Sequence, residues 1–322
     1  MTDHMTVLVL EPFRQQQLTR IREAAGQGAN VVQKTRVSDK AQLLDLLKSA
    51  DVVVGAPAPE LLERAPSIRW LQLCWAGADR YLKHEVTLPE GLRITNVAGV
   101  AFGRNMSQYV LGQILALTQN LPSYVRHQSK GQWRWAGPVM TLDGTRALIF
   151  GAGDIGSWTA RRLSGFDVTC IGVCRNTTAP RECFSKLVTL DQAEEELAQA
   201  DVVVNCLPSS DETDGYLSER RLRLMKKGAV LINVGRGSFL DCDALADVLA
   251  EGHLRGAALD VCKPEPLPAG HRLWTEPRCL ITPHISGKSF GSSKQTEEVI
   301  CDIVCENLRR WKAGEELTHI VR

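Results

Sequence analysis

Short apolar runs alternate with helix-like segments along almost the whole chain. Many of these runs, such as residues 52–54 and 202–204, are continuously aliphatic and do not alternate with polar residues. A strand of this kind is buried on both faces, which is typical of a parallel sheet covered by helices. The pattern therefore predicts an α/β fold made of repeated strand–helix units. A chain of 322 residues is long enough for two domains of ordinary size.

The charge balance and the cysteines restrict the class of partner and compartment. Lys and Arg total 38 against 37 for Asp and Glu, so the formal net charge is only +1. This balance gives no electrostatic reason to expect nucleic acid or an anionic membrane as partner. No apolar run approaches the length of a membrane span, and the first residues predict a strand rather than a signal peptide. The 10 cysteines are scattered without a CxxC pair, so we expect reduced thiols and a cytoplasmic location.

Two longer helices stand out from the alternating pattern. Residues 104–121 have a wide apolar face and predict a single long helix. The tail, residues 292–314, predicts an amphipathic helix that we expect to return to the first domain.

A glycine-rich loop follows one of the strand-like runs. Gly151, Gly153 and Gly156 form a GxGxxG motif directly before a helix-like segment. In such a loop the first glycine permits a tight turn, the second lets the backbone approach a pyrophosphate, and the third lets the helix pack against the strand. The amides of Asp154 and Ile155 would then point at the anion from a helix N-terminus. The motif predicts a dinucleotide site.

The residue after the next strand bears on the choice of cofactor. An NAD site usually has an acidic residue there to hold the ribose hydroxyls, whereas this chain has Arg175. An arginine can pair with the 2′-phosphate of NADP through two hydrogen bonds. We therefore expect NADP(H) to be preferred, with NAD(H) possible. The alternative is that Arg175 is a solvated loop residue and that either cofactor binds.

Three later strand-like runs each end in a chemically capable residue, namely Arg236, Glu265 and His284. The carboxyl ends of parallel strands meet at one edge of a sheet, so these three side chains would face the same crevice. His284 could protonate a developing alkoxide near neutral pH, and a neighbouring Glu265 would raise the pKa of the imidazole. Arg236 could hold a substrate carboxylate. Taken singly, each residue has an ordinary structural explanation, and the sequence offers His284 no second ligand at metal-binding spacing.

These stretches together resemble the D-isomer-specific 2-hydroxyacid dehydrogenase family, and its glyoxylate/hydroxypyruvate reductase-like branch in particular. The resemblance covers residues 148–287 in order and spacing, and it rests on the stretches GAGDIG, CLPSSDETDGYL, LINVGRGSFLDCDAL, GAALDVCKPEPLP and ITPHISG. It implies an α/β fold of two Rossmann-like domains. A doubly wound, parallel-sheet dinucleotide-binding domain (residues 102–288) would be inserted into a smaller, flavodoxin-like substrate domain (residues 1–101 and 289–322), with the active site in the cleft between them.

The resemblance also implies roles for individual residues. Arg236, Glu265 and His284 would be the catalytic residues, and the backbone N–H groups of Ala76 and Gly77 would bind the substrate carboxylate beside Arg236. The expected cofactor-binding residues are Gly151, Gly153, Asp154, Ile155, Gly156, Arg175, Pro208, Thr213, Val234, Gly235, Arg236, Asp260, His284 and Gly287. Family members are similar in forming homodimers, largely through the helix at residues 104–121. Gln108 and the segment after His284 depart from the family's usual pattern, which bears on substrate shape and domain closure.

The expected activity is hydride transfer between NAD(P)H and a small 2-oxo acid to give a D-2-hydroxy acid. Two alternatives resemble the same family. Formate dehydrogenase shares the fold but pairs its histidine with an amide, so Glu265 disfavours it. A dinucleotide-sensing corepressor would bind partner peptides, and turnover of a 2-oxo acid would distinguish the enzyme from it.

Overall fold

The structure is a computed structural model that describes residues 4–82 and 85–322. The chain divides into two compact units, one formed by Met1–Ala101 with Lys288–Arg322 and the other by Phe102–Gly287. We call them unit 1 and unit 2 and describe each by itself. The roles that the sequence assigns to them as substrate domain and cofactor domain remain predictions.

Unit 1 is built from strands and helices that alternate along the chain. Its strands are β1 (Thr6–Val9), β2 (Asn30–Gln33), β3 (Val52–Val54), β4 (Trp70–Gln72) and β5 (Arg93–Thr95). Its helices are α1 (Gln15–Ala25), α2 (Lys40–Lys48), α3 (Pro59–Leu62), α4 (Asp79–Leu82) and the C-terminal α11 (Lys294–Ala313).

The sheet of unit 1 is parallel, with strand order β2-β1-β3-β4-β5. This is the flavodoxin-like order, in which the chain leaves β1 to one side for β2 and returns to its other side for β3. The aliphatic residues of β3 are fully buried, as expected for a strand covered on both faces. The topological switch point of this sheet, where the strand order reverses, therefore lies between β1 and β3.

Unit 2 contains the glycine-rich loop and the strand ends that carry the candidate catalytic residues. Its strands are β6 (Arg146–Phe150), β7 (Thr169–Val173), β8 (Lys186–Val188), β9 (Val202–Asn205), β10 (Val230–Asn233), β11 (Gly256–Leu259) and β12 (Cys279–Ile281). Its α-helices are α5 (Gly103–Thr118), α6 (Leu121–Ser129), α7 (Asp154–Leu163), α8 (Ala193–Leu197), α9 (Glu219–Leu224) and α10 (Cys242–Ala250), with short 3-10 helices at Ser164–Phe166, Gly237–Phe239 and Arg272–Trp274.

All neighbouring strands of unit 2 also pair in parallel, in the order β12-β11-β10-β9-β6-β7-β8. The order reverses between β6 and β9, which is the doubly wound arrangement. Two parallel α/β sheets confirm the predicted fold class. The candidate residues at the ends of β10, β11 and β12 follow three adjacent strands.

The long helix predicted at residues 104–121 is shorter than expected. Helix α5 ends at Thr118, and a second helix, α6, begins at Leu121. Between them Asn120 adopts a positive φ of 58°, a left-handed conformation that cannot continue an α-helix. Pro122 then stands in the first turn of α6, where its missing N–H is tolerated. The helix is therefore present, but its predicted end is too late because the apolar spacing alone does not reveal the turn.

The C-terminal helix α11 belongs to unit 1, where it packs on α1. Arg14 forms ion pairs with Glu297 and Glu298 at 3.3 and 2.6 Å. Trp70 of β4 is fully buried and stacks on Trp311 of α11 with ring centroids 5.7 Å apart. The final residues pair with β5 through an isolated antiparallel bridge.

All 10 cysteines are free thiols. Cys301 and Cys305 lie together in the interior of unit 1, with their Sγ atoms 3.9 Å apart. Over the described ranges, no helix combines the length and the apolar character needed to cross a membrane.

Candidate active site

The glycine-rich loop connects β6 to α7, and two of its glycines are required by close packing. Gly151 has a φ of +99°, which residues with a side chain rarely adopt. A Cβ at Gly156 would lie 1.9 Å from the carbonyl oxygen of Gly151. These two residues therefore hold α7 tightly against the end of β6.

Gly153 differs from the other two because a Cβ there would meet no atom of the described residues within 4 Å. Gly153 is the N-cap of α7, and no side chain in residues 4–82 or 85–322 caps this helix. The first N–H groups of a helix have no partner within it, so those of α7 can bind an anion. The Asp154 side chain accepts a 2.7 Å hydrogen bond from the amide of Gly103. The Asp154 carboxylate is therefore directed towards the start of α5. The loop thus offers an open backbone cradle for the pyrophosphate of a dinucleotide.

Two arginines lie in the loop after β7. Arg175 is exposed, and no hydrogen bond or ion pair joins it to another residue in the described part of the chain. Arg181, which is not among the predicted site residues, donates from its guanidinium to the carbonyl of Ala152 in the glycine-rich loop. Its Nε atom is buried and has no hydrogen-bond partner among the described residues. The sequence feature that could have pointed to Arg181 is its position in the same loop as Arg175.

The glycines on either side of Arg236 dock its loop against two neighbouring loops. A Cβ at Gly235 would lie 2.5 Å from the carbonyl oxygen of Leu207, in the loop after β9. A Cβ at Gly237 would lie 2.0 Å from the carbonyl oxygen of Cys262, in the loop after β11 that also carries Glu265. Arg236 is half-buried, and its Nη1 donates to the carbonyl of Gly235 at 2.9 Å. Neither glycine can be replaced without separating these loops.

His284 and Glu265 form a direct pair. The Nδ1 atom of His284 lies 2.7 Å from Oε1 of Glu265. An ionised carboxylate can only accept, so Nδ1 carries the hydrogen of this bond. The side chains are 52% and 42% exposed, and Nε2 of His284 makes no hydrogen bond to any described residue. The ring is thus fixed by one nitrogen and leaves the other available to a ligand.

Asp260 builds the loop that presents His284. It is buried at the end of β11, with 2% of its surface exposed. Its carboxylate accepts hydrogen bonds from the hydroxyl of Thr282 at 2.6 Å and from the amides of Ile285 and Ser286 at 2.8 Å each. Its carbonyl oxygen accepts from the amide of His284, which has a positive φ of 53°. This supporting role was not foreseen, and the predicted contact of Asp260 with the cofactor stays a prediction.

Tyr109 of α5 extends this network. Its hydroxyl lies 2.5 Å from that of Thr282, and burial raises the pKa of Tyr109 to about 12. Gly287, another predicted cofactor contact, faces the same helix, since a Cβ there would lie 3.3 Å from the sulfur of Met106.

The loop after β9 contains two further predicted cofactor contacts. The buried Thr213 donates from its hydroxyl to the carbonyl of Pro208 at 2.9 Å and accepts from the amide of Ser210 at 2.9 Å. Val234, after β10, is also buried, and its amide donates to the carbonyl of Asn205. These residues shape the rim of the sheet, and their contacts with a cofactor remain predictions.

The predicted substrate-binding residues Ala76 and Gly77 lie in unit 1, in a bend after β4. The carbonyl of Ala76 accepts a 2.7 Å hydrogen bond from Nδ2 of Asn96. Within residues 4–82 and 85–322, the amides of Ala76 and Gly77 donate to no protein group. They are therefore available to bind an anion at the carboxyl edge of this sheet.

The chain is similar to known proteins of one enzyme family. A family model described as "D-isomer specific 2-hydroxyacid dehydrogenase, NAD binding domain" matches residues 111–286. This is more than half of the 322 residues. The glyoxylate/hydroxypyruvate reductase A of Photorhabdus laumondii subsp. laumondii is 29% identical over 85% of this chain and 87% of its own length.

Two solved structures match nearly the whole chain. A D-isomer specific 2-hydroxyacid dehydrogenase family protein from Aeromonas salmonicida is 31% identical, with a TM-score of 0.86 and 99% of each chain covered. An NADPH-dependent glyoxylate/hydroxypyruvate reductase from Sinorhizobium meliloti, solved with NADP and sulfate, is 25% identical, with a TM-score of 0.80 and 98% of each chain covered. Together with the glycine-rich loop and the paired His284 and Glu265, these matches place the chain in the D-isomer-specific 2-hydroxyacid dehydrogenase family.

Proposed function

We propose that the protein reduces small 2-oxo acids of the glyoxylate or hydroxypyruvate kind with NAD(P)H and forms D-2-hydroxy acids. The observation that carries this proposal is the 2.7 Å contact between Nδ1 of His284 and Oε1 of Glu265. The pair follows the strands of the same sheet whose β6–α7 connection forms the open glycine-rich cradle. The names of the similar reductases support the substrate class.

The residues of the cradle fit a nicotinamide dinucleotide. Gly153 leaves open space beside the uncapped N-terminus of α7, which suits a pyrophosphate. When bound, the cofactor supplies the hydride that reduces the substrate carbonyl. We further propose that the remaining predicted cofactor residues line the path from this cradle to His284.

The protein groups would handle the charge and the proton. As the substrate carbonyl is reduced, its oxygen gains negative charge and needs a proton. His284 would donate that proton from Nε2, while Glu265 holds the ring through Nδ1 and stabilises its positive charge. Arg236 would pair with the substrate carboxylate and draw charge from the carbonyl. The amides of Ala76 and Gly77 would bind the same carboxylate.

We propose a preference for NADP over NAD because Arg175 is exposed and has no carboxylate partner among the described residues. A guanidinium in this position can pair with a 2′-phosphate. The NADP-bound structure from Sinorhizobium meliloti agrees with this choice. Arg181 would support the neighbouring loop through the carbonyl of Ala152.

We also propose a homodimer formed through unit 2. Helix α6 buries none of its residues. Val125 on this helix is 64% exposed, and Trp133 and Trp135 shortly after it are 106% and 73% exposed. Large apolar side chains grouped on a protein surface often mark a site where another molecule binds. The reduced cysteines support the cytoplasm as the compartment.

The proposal is tested by incubating the purified protein with glyoxylate, hydroxypyruvate and pyruvate and with NADPH or NADH. We expect nicotinamide oxidation with the short 2-oxo acids, faster with NADPH. The variant His284→Ala serves as the matched control for turnover at this site. Absence of turnover with every pair, in a protein that binds NADPH, would rule out the reductase and leave the corepressor-type alternative. Glu265 disfavours a formate dehydrogenase. Reduction of NAD by formate would reveal that activity.

A further inference from the structure

Unit 1 has its own switch point, and an acidic residue lies beside it. In open α/β sheets, ligands bind at the carboxyl ends of the strands where the strand order reverses. In unit 1 this position is between β1 and β3. Glu11 follows β1, and Gly55 follows β3. A Cβ at Gly55, which has a φ of +139°, would lie 3.4 Å from Oε1 of Glu11 and 2.8 Å from Cβ of Leu10.

The switch point of unit 2 is arranged in the same way. There Gly151 follows β6, and a Cβ on it would lie 3.2 Å from the backbone carbon of Cys206, after β9. In both units a glycine with positive φ lets the two diverging loops approach each other. The crevice of unit 2 is the proposed cofactor cradle. The corresponding crevice of unit 1 contains the Glu11 carboxyl.

Among the described residues, no protein group neutralises this carboxyl. Its oxygens form no ion pair or hydrogen bond with any residue in the described ranges. The nearby ionisable groups are the thiol of Cys74 and the hydroxyl of Tyr81, and burial raises the pKa of both, so they are neutral. Arg80 donates to the carbonyl of Ala56 and to the hydroxyl of Tyr81 instead.

Two cations on loops next to β1 and β2 are also directed elsewhere or lie in solvent. Arg14, at the start of α1, is held by Glu297 and Glu298. Lys34, after β2, is exposed. Burial therefore raises the pKa of Glu11 from 4.5 to about 7. The carboxyl is neutral at slightly acid pH and ionised above neutrality.

Strand spacing indicates which part of a substrate Glu11 can reach. Neighbouring strands lie about 4.8 Å apart, and β3 separates β1 from β4. Glu11 and the bend with Ala76 and Gly77 therefore follow strands that lie roughly 10 Å apart, and Cys74, just before this bend, is near enough for Glu11 to raise the pKa of its thiol further. If those amides hold the substrate carboxylate, we expect the other end of a three-carbon acid to come within reach of the Glu11 side chain.

We propose that Glu11, as a neutral acid, donates a hydrogen bond to a hydroxyl on the carbon beside the keto group, and so selects 3-hydroxy-2-oxo acids over unsubstituted ones. This inference rests on the proposed reductase activity and names its preferred substrate class. Once ionised, Glu11 would lose its donor and would also oppose an anionic substrate. The selectivity should therefore decline as the pH rises through about 7.

The test measures the ratio of kcat/KM for hydroxypyruvate to that for pyruvate, between about pH 5.5 and pH 8.5. Taking the ratio within one enzyme cancels any pH effect that is common to both substrates. In the wild type, we expect the ratio to fall about tenfold across this range, the size of one hydrogen bond. Glu11→Gln keeps a donor but cannot ionise, so its ratio should stay high and flat. Glu11→Leu should have a ratio about tenfold lower at acid pH.

The matched control is Glu63→Gln, which changes an exposed glutamate at the end of α3 in the same unit and should behave as the wild type. A wild-type ratio that does not change with pH, or a Glu11→Leu variant with the wild-type ratio, would overturn the inference while pyruvate turnover still upholds the reductase. A wild type that reduces neither acid would refute the reductase and this inference together. Thermal unfolding checks that Glu11→Leu is folded, and Glu11→Gln serves in its place if it is not.

Discussion

Replacing each of two glycines of the nucleotide loop by alanine should separate their roles. In Gly156→Ala, the new Cβ would lie 1.9 Å from the carbonyl oxygen of Gly151, whereas real contacts stay beyond 3.0 Å. Helix α7 would therefore have to retreat by at least about 1.1 Å from β6, since overlap of this size cannot be absorbed by a side-chain rotation. In Gly153→Ala, the new Cβ meets nothing within 4 Å in the part of the chain that the structure describes.

The expected energies follow from these distances. Overpacking costs about 1–3 kcal/mol, and often more where backbone must move, while alanine in a helix returns about 1 kcal/mol relative to glycine. We expect Gly156→Ala to lower stability by about 2 kcal/mol, or about 4–8 °C in Tm for a unit of this size. Gly153→Ala should cost less than about 1 kcal/mol. The alanine methyl group in Gly153→Ala would instead fill the cradle. We expect it to raise the Kd for NADPH at least about tenfold, which is a loss of about 1.4 kcal/mol of binding free energy.

The assay is thermal unfolding of the cofactor-free proteins together with NADPH titration by fluorescence. Gly156→Ala should melt clearly below the wild type, and Gly153→Ala close to it. Equal melting temperatures for the two variants would refute the packing argument. Wild-type affinity for NADPH in Gly153→Ala would show that the cradle does not hold the pyrophosphate.

Three further substitutions test the proposed roles at the rim of unit 2. His284→Ala should lower kcat for reduction by about 10²–10⁴-fold, which is the usual contribution of general acid catalysis. It should leave the Kd for NADPH nearly unchanged. If the variant retains most of the turnover, His284 is not the general acid. Arg236→Ala should reduce kcat and raise KM together, because a charge-assisted pair with the substrate is lost, and an unaltered kcat/KM would contradict that contact. Arg175→Asp should shift the ratio of kcat/KM for NADPH to that for NADH towards NADH, whereas an unchanged ratio would show that Arg175 does not choose the cofactor.

The parts that could be predicted from the sequence are those fixed by local pattern and by parallel topology. Continuous aliphatic strands imply a buried parallel sheet, and the carboxyl ends of such strands share one edge. For that reason the pairing of His284 with Glu265 could be expected although 19 positions separate them in the chain. The glycines at positions 151 and 156 likewise follow from the motif, and their packing agrees with its mechanism.

The rest depends on features that one sequence does not display. Asp260 follows a strand like the other site residues, but its three hydrogen bonds to the His284 loop arise from the loop's path and not from spacing. The break of the long helix at Asn120 required a left-handed residue that apolar periodicity does not reveal. Glu11 became significant only once the strand order placed β1 beside β3.

The central claim is that His284, held by Glu265, delivers a proton as the substrate carbonyl is reduced. Chiral analysis of the product of hydroxypyruvate reduction by the wild type and by Glu265→Gln tests it most directly when combined with a comparison of their kcat values. We predict D-glycerate from both enzymes, and a kcat for Glu265→Gln that is at least about tenfold lower, because a neutral amide stabilises the positive charge of the His284 ring less than a carboxylate does. An L product, or equal kcat values for the two enzymes, would contradict the account.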